Sequence, residues 1–167
     1  MELRLARQGE LETLKKLYKG IVDHLHEIKE VRIWYDGYPM NILGEDMDKR
    51  QLYVVEEDGN LIGAVALTDD FTHEMHFNWK VKGKSIYINR FGVFMDYKGK
   101  GYARPFMNKI KEFAAENNCK SVRLMVNHHN APAIATYEKS GFIWTGDRYA
   151  PPLYPNELLL GYEVPLE

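Results

Sequence analysis

The chain has 167 residues, of which 45% are hydrophobic and 13% aromatic, so a single domain over 1–167 with a packed core is expected and whole-chain disorder is not. Its 22 Lys and Arg against 24 Asp and Glu leave a formal charge of −2, a balance that argues against nucleic acid as the partner. No run approaches the roughly 18 apolar residues of a membrane span, and the first residues lack the apolar stretch of a signal peptide, so a soluble, cytoplasmic chain with no membrane partner is expected.

Leu3 and Leu5 alternate with charged residues and predict a half-buried strand over 2–7. Leu11, Leu14, Leu17, Tyr18, Ile21, Val22 and Leu25 then recur every three or four residues. That spacing predicts a helix with one apolar face, continuing to about Trp34 before Gly37 and Pro39 break it. A short helix over about 41–49 follows. Residues 51–57 and 61–68 read as strands joined by the turn Glu57-Asp58-Gly59-Asn60, hence a hairpin. The segment 69–83 is polar and aromatic without a period and reads as a long loop.

Residues 85–95 are strand-like and rich in Ile, Tyr, Phe and Val. A helix is expected over 102–117, and Cys119 reads as a small apolar side chain at its end. One cysteine makes no internal disulfide and suits a reducing compartment. A strand over 121–126, a helix over 131–139 ended by Gly141, and strands over 142–149 and 157–164 complete the order. Hairpins followed by a βαβ unit define an α/β (α+β) class: a mixed, mostly antiparallel central sheet of about seven strands with flanking helices.

The most informative stretch runs from Arg90 through Lys98-Gly99-Lys100-Gly101-Tyr102-Ala103. A strand passes through a turn of lysines and glycines directly into a helix. The first N–H groups of a helix point out of its positive end, and glycines let a phosphate reach the backbone. The implied chemistry is diphosphate binding. Gly-x-x-x-x-Gly-Lys-Ser/Thr is absent, which excludes a P-loop, and Gly-x-Gly-x-x-Gly is absent too, which leaves a dinucleotide fingerprint unsupported.

A second stretch, Asn130-Ala131-Pro132-Ala133-Ile134-Ala135-Thr136-Tyr137-Glu138-Lys139-Ser140-Gly141-Phe142, follows the next strand. Asn130 suits an N-cap, Pro132 the first turn, and the alanines make a slim helix that a ligand can approach closely. Together the two stretches resemble the GCN5-related N-acetyltransferase (GNAT) superfamily. Lys98–Ala103 is similar to its Arg/Gln-x-x-Gly-x-Gly/Ala turn, with Lys in first place. Asn130–Phe142 is similar to its Asn-x-x-Ala-x-x-x-Tyr-x-Lys-x-Gly-Phe signature.

The resemblance implies an N-acetyltransferase with acetyl-CoA as donor, held where two central parallel strands, Ile86–Met95 and Ser121–Val126, splay apart. It implies that backbone groups around Phe91 and Val93 pair with the pantetheine arm. Amides of Lys98, Gly99, Lys100, Gly101, Tyr102 and Ala103 would hold the pyrophosphate, Asn130 would bond the pantetheine or phosphate region, and Ala133 would line the cleft. An N–H near Val93 would meet the developing oxyanion, and Tyr137 would contact the sulfur and protonate the departing thiolate as general acid. The carboxylate that many members carry on the strand before the turn is missing here, where Asn89 and Arg90 stand. Met95 likewise replaces a frequent Pro. A base would therefore come from Asp69, Asp70, His73, Glu74 or His76, or from a water chain.

Other features carry less. His73-Glu74-Met75-His76 lacks further ligand spacing, so no metal is expected. His128 and His129 read as exposed loop histidines, with contact to substrate or cofactor the alternative. Trp34, Tyr35, Tyr38, Phe71, Phe77 and Trp79 read either as packing between helices and sheet or as an aromatic acceptor wall suited to a compact or hydrophobic amine. The 149–154 loop suits either closure of the cleft or a contact in a homodimer. The acceptor is expected to be a primary amine of a small molecule or peptide. The alternatives are a module that senses CoA without turnover, and an acyltransferase with a longer donor.

Overall fold

The computed structural model describes residues 1–27, 33–70, 73–153 and 155–167. The elements are β1 (Glu2–Leu5), α1 (Leu11–Glu27), α2 (Leu43–Asp48), β2 (Leu52–Glu57), β3 (Asn60–Thr68), β4 (Ser85–Val93), α3 (Ala103–Glu116), β5 (Ser121–Asn127), α4 (Ala131–Lys139), β6 (Ile143–Tyr149) and β7 (Leu159–Pro165). The strands form a seven-stranded mixed sheet in the order β1-β2-β3-β4-β5-β7-β6. The chain divides into two compact units, Met1–Leu67 with Asn89–Phe106 and Thr68–Ile88 with Met107–Glu167, so β4 and α3 each contribute to both.

In the first unit β1, β2 and β3 pair antiparallel. The β2–β3 hairpin closes through Asp58 and Gly59, both at positive φ (51° and 79°), the geometry whose twist matches the flanking strands. The apolar stripe of α1 buries Leu14, Tyr18 and Ile21 in one cluster with Leu43 and Met47 of α2, Leu52, Val54, Ala64 and Phe94. The helix expected to reach Trp34 is shorter. Its last described residue is Glu27, residues 28–32 lie outside the described residues, and Trp34 stands at φ 61°, which no right-handed helix contains. Trp34 instead uses its apolar ring from a loop, 6.1 Å from Tyr18 and 6.3 Å from Tyr38 between ring centroids.

In the second unit β4 runs parallel to β5, with Ser85–Ile88 opposite Ser121–Leu124. β5 and β6 both pair antiparallel with β7. Ile86, Ile88, Met107, Ile110, Val122 and Leu124 are buried there. The expected 69–83 loop contains one short 3-10 turn, Glu74–His76. Two of its residues, Phe71 and Thr72, lie outside the described residues, as does Tyr154. No helix among the described residues is long and apolar enough to cross a membrane.

Backbones approach closely in the first unit. A Cβ added to Gly63 would sit 2.5 Å from the Gly92 carbonyl oxygen and 3.0 Å from the Phe106 ring. Backbone cannot yield as a flexible side chain does. Gly63→Ala is therefore expected to destabilise the protein by about 1–3 kcal/mol, the usual cost of overpacking. Urea titration should show the midpoint falling with an unchanged slope, and an unaltered midpoint would show that this contact can relax.

Candidate functional site

β4 ends at Val93, and the turn Met95–Tyr97 leads to the stretch that the sequence singles out. Gly99 and Gly101 both adopt left-handed backbone, at φ 73° and 84°, and no atom lies within 4 Å of a Cβ built on either. Glycine is required by the conformation, and the space before each one is open. α3 begins at Ala103, and the Tyr102 carbonyl accepts the first helical bond, from the Phe106 N–H at 3.0 Å. Among the described residues the N–H groups of Gly99, Gly101, Tyr102, Ala103 and Arg104 have no acceptor. Several convergent donors at the positive end of a 14-residue helix, next to open space, suit a diphosphate.

The lysines differ. Lys100 is exposed, whereas the Lys98 ammonium lies against His24 Nε2 of α1. Tyr102 is half-buried, its ring edge-on to Tyr97 at 5.4 Å. Burial and a hydrogen bond to Glu57 raise the Tyr102 phenol above its usual range. Phe91 and Val93 are both half-buried on β4, with the Phe91 ring 4.8 Å from Phe106.

The second stretch lies in the other unit. Asn130 caps α4 as expected, its Oδ1 accepting the Ala133 N–H at 3.3 Å, and Pro132 occupies the first turn. The Asn130 amide donors have no partner among the described residues. Ala133 is half-buried. Tyr137 is 7% exposed, its ring 5.9 Å from Phe142. Burial pushes its phenol well above the ordinary value, so it holds its proton at neutral pH, as a general acid must. Phe91, Val93 and Lys98–Ala103 thus belong to one unit, and Asn130, Ala133 and Tyr137 to the other.

No base stands on β4. Asn89 is buried, and the Arg90 guanidinium is engaged by Asp46 at 2.7 Å. Of the loop candidates, Asp69 and Glu74 line a cavity of about 280 Å³ in the second unit, together with Lys84, Ser85, Tyr87 and Arg123. Arg123 Nη1 donates to the Tyr87 hydroxyl at 3.0 Å. Burial first, then a hydrogen bond to Glu74, pushes the Tyr87 phenol up to about 12. His76 stacks on Tyr149 at 3.8 Å, and burial lowers the pKa of neighbouring His73. Asp70 is exposed, and its carbonyl accepts the Thr68 hydroxyl at 2.6 Å.

Sequence reasoning missed Asp46, Tyr87 and Arg123. Asp46 had a signal, because it falls with Leu43 and Met47 at helical spacing on the face that turns inward. Tyr87 and Arg123 are register partners on adjacent strands, a pairing that no local pattern discloses.

The aromatic segments are largely used in packing. Phe77 is buried, and a Cβ on Gly161 would meet its ring at 2.5 Å. Trp79 lies under the Arg123 guanidinium at 4.9 Å, and exposed Tyr35 stacks on His26 at 4.8 Å. Phe71 is outside the described residues. His129 is exposed as expected, but His128 is half-buried, its Nδ1 accepting the Leu158 N–H at 3.1 Å. Cys119 is buried, and burial raises its thiol. Among the described residues no three His, Cys, Asp or Glu side chains gather as metal ligands.

A parallel pair in a mixed sheet, with a glycine turn opening the following helix, fits an acyl-CoA-dependent transferase fold. The Acetyltransferase (GNAT) family model matches residues 12–142, and the chain belongs to that family. It is 31% identical over 103 residues to a streptothricin acetyltransferase of Streptomyces lavendulae, covering 62% of this chain and 49% of that one. It is 26% identical over 132 residues to an N-acetyltransferase, MJ1207, of Methanocaldococcus jannaschii, covering 79% and 54%. The chain thus spans about half the length of these curated relatives. A GNAT acetyltransferase from Streptococcus agalactiae superposes with a TM-score of 0.83 at 19% identity, over 99% of this chain and 95% of that one. A spermidine N-acetyltransferase from Vibrio cholerae, solved with CoA and spermine, gives 0.71 at 20% identity, over 98% and 94%. At these identities the superpositions show the shared fold.

Gly101→Glu places a carboxylate in front of the N–H groups. The left-handed conformation makes it cost about 1–2 kcal/mol of stability, and the protein should stay folded. Each bond to a charged oxygen is worth roughly 1.5–3 kcal/mol, so affinity for coenzyme A should fall at least about tenfold. Calorimetric titration measures it, and a folded variant with unchanged affinity would place the pyrophosphate elsewhere.

Proposed function

We propose that this chain transfers the acetyl group of acetyl-CoA to a primary amine of a small molecule or peptide, by direct attack. The observation that carries the reading is the turn at Gly99 and Gly101, whose left-handed backbone opens α3 with N–H groups that have no acceptor among the described residues and with open space at both glycines. The family's motif assigns the pyrophosphate to Lys98–Ala103, the pantetheine arm to backbone around Phe91 and Val93, and further contacts to Asn130 and Ala133. The donor supplies an activated acyl thioester.

The protein's own groups supply the rest. The acceptor must be a neutral amine, although alkylamines hold their proton up to a pH of about 10. Of the candidate bases Asp69, Asp70, His73, Glu74 and His76, the carboxylates of Asp69 and Glu74 line a cavity and would take that proton, and a water chain is the other route. Backbone N–H near Val93 stabilises the charge that develops on the acyl oxygen. Tyr137, protonated because it is buried, donates to the departing sulfur. The compartment that suits this cofactor and a lone reduced cysteine is the cytoplasm. A homodimer is compatible with this reading.

Two measurements test it. Acetyl-CoA at about 100 times its dissociation constant should add roughly 2.7 kcal/mol of stability, seen as a thermal shift. The absence of any shift at millimolar donor would sink the reading. Thiol release with a panel of amines then separates an enzyme from a CoA sensor, and succinyl- or myristoyl-CoA in place of the acetyl donor tests for a longer acyl group. Tyr137→Phe keeps the ring and its packing while removing the proton. Turnover should fall by about 10²–10⁴ with donor affinity nearly unchanged. Unchanged turnover would show that another group or water protonates the thiolate, and an equal loss of affinity would make Tyr137 a wall of the site.

A further inference from the structure

Arg90 stands inside a strand at φ 53°, a backbone region that an arginine enters only when its surroundings hold it there. Both ends of the residue are held. Its guanidinium makes a two-pronged contact with Asp46 of α2, Nε to Oδ2 and Nη2 to Oδ1, each 2.7 Å. Asp46 is 1% exposed and also accepts from Gln51 Nε2 at 2.7 Å. Arg90 Nη1 donates to the Tyr38 hydroxyl at 3.3 Å. At the other end, the Arg90 carbonyl accepts the hydroxyl of fully buried Tyr18 at 2.6 Å. Two residues on, a Cβ on Gly92 would meet Ile21 Cδ1 at 2.7 Å, so the strand is seated against α1 without room to slide.

A side-chain ion pair alone would only anchor Arg90. The added bond to its carbonyl orients the backbone. A peptide unit is planar, so fixing the Arg90 carbonyl also fixes the Phe91 N–H, which points the opposite way. We infer that Asp46 and Tyr18 are positioning residues that hold the left-handed turn at Arg90 and thereby aim the peptide groups of Phe91 and Val93 at the acyl donor. This inference rests on the proposed role of those two residues in donor binding.

The test separates backbone conformation from charge. Removing one partner alone would strand a buried charge, so both are neutralised together. Asp46→Asn/Arg90→Ala removes the pair and leaves a residue that resists positive φ. Asp46→Asn/Arg90→Gly removes the same pair and leaves one that accepts it. Backbone carbon shifts of residues 89–93 report the conformation, and titration with coenzyme A reports donor affinity. The alanine double variant should lose the left-handed signature and bind coenzyme A roughly tenfold more weakly or worse, and the glycine double variant should recover most of both. Tyr18→Phe, which keeps the ring, should shift the same resonances and weaken binding in the same direction. A retained signature in the alanine variant, or equal affinity in the alanine and glycine variants, would overturn the inference. Unsubstituted protein without affinity for coenzyme A would overturn the donor reading and this one together, and is seen before any variant is made.

Discussion

A carboxylate and a guanidinium are buried together beneath the middle of β4, and the first unit is arranged around them. Asp46 accepts three hydrogen bonds, two from Arg90 and one from Gln51. Burial works against the Arg90 charge, and Tyr38 and Asp46 more than offset it, so the guanidinium pKa is raised. Such a pair adds little net stability, because desolvation consumes much of the attraction, yet removing one partner would cost roughly 3–5 kcal/mol. Its value is geometric. It ties the six-residue α2, too short to be stable on its own, to one defined residue of a strand. The same residue receives Tyr18 from α1, so α1 and α2 both meet β4 at Arg90.

The second unit uses the same device on a loop. Glu163 of β7 is buried and accepts the Lys80 and Val81 N–H groups at 2.7 and 3.1 Å, together with Arg123 Nε at 2.9 Å. Arg123 Nη2 returns a bond to the Val81 carbonyl at 2.7 Å, and Trp79 covers the guanidinium face. A segment without secondary structure is thus fastened by charge-assisted bonds to two strands. Backbone groups that no ladder serves are satisfied by side chains, as burial requires. The consequence reaches the cavity bordered by Glu74 and Tyr87, because Arg123 also donates to the Tyr87 hydroxyl.

Legibility in the sequence followed how locally each feature is specified. The β2–β3 hairpin, α4 and its Asn130 cap were readable because turn chemistry, capping and period act over a few residues. The Gly99–Gly101 turn was readable for a sharper reason: left-handed backbone at two positions demands glycine, and glycine shows in a sequence. The left-handed conformation at Arg90 left no such mark. It is imposed by partners 44 and 72 residues away, and arginine is not a residue that advertises positive φ. Trp34 shows the converse failure, since a residue that a continued helix would include belongs to a left-handed loop position. The cavity residues were hidden because cross-strand register joins Tyr87 to Arg123, and register is a property of the sheet.

This division bears on how specificity can be distributed in such a chain. The groups assigned to the donor are mainly backbone, so the side chains around them are loosely constrained. Lys98 can rest on His24, and Tyr102 on Glu57, without disturbing an N–H at the end of α3. The aromatic side chains of the irregular segments are largely committed to packing. Trp34 lies against Tyr18 and Tyr38, His76 against Tyr149, and Trp79 against Arg123. An aromatic ring whose face is covered cannot also wrap an apolar substrate. The cavity of the second unit is lined by polar groups: Asp69, Glu74, Ser85 and the Tyr87–Arg123 pair. In such a cavity discrimination depends on whether each buried polar group finds its partner.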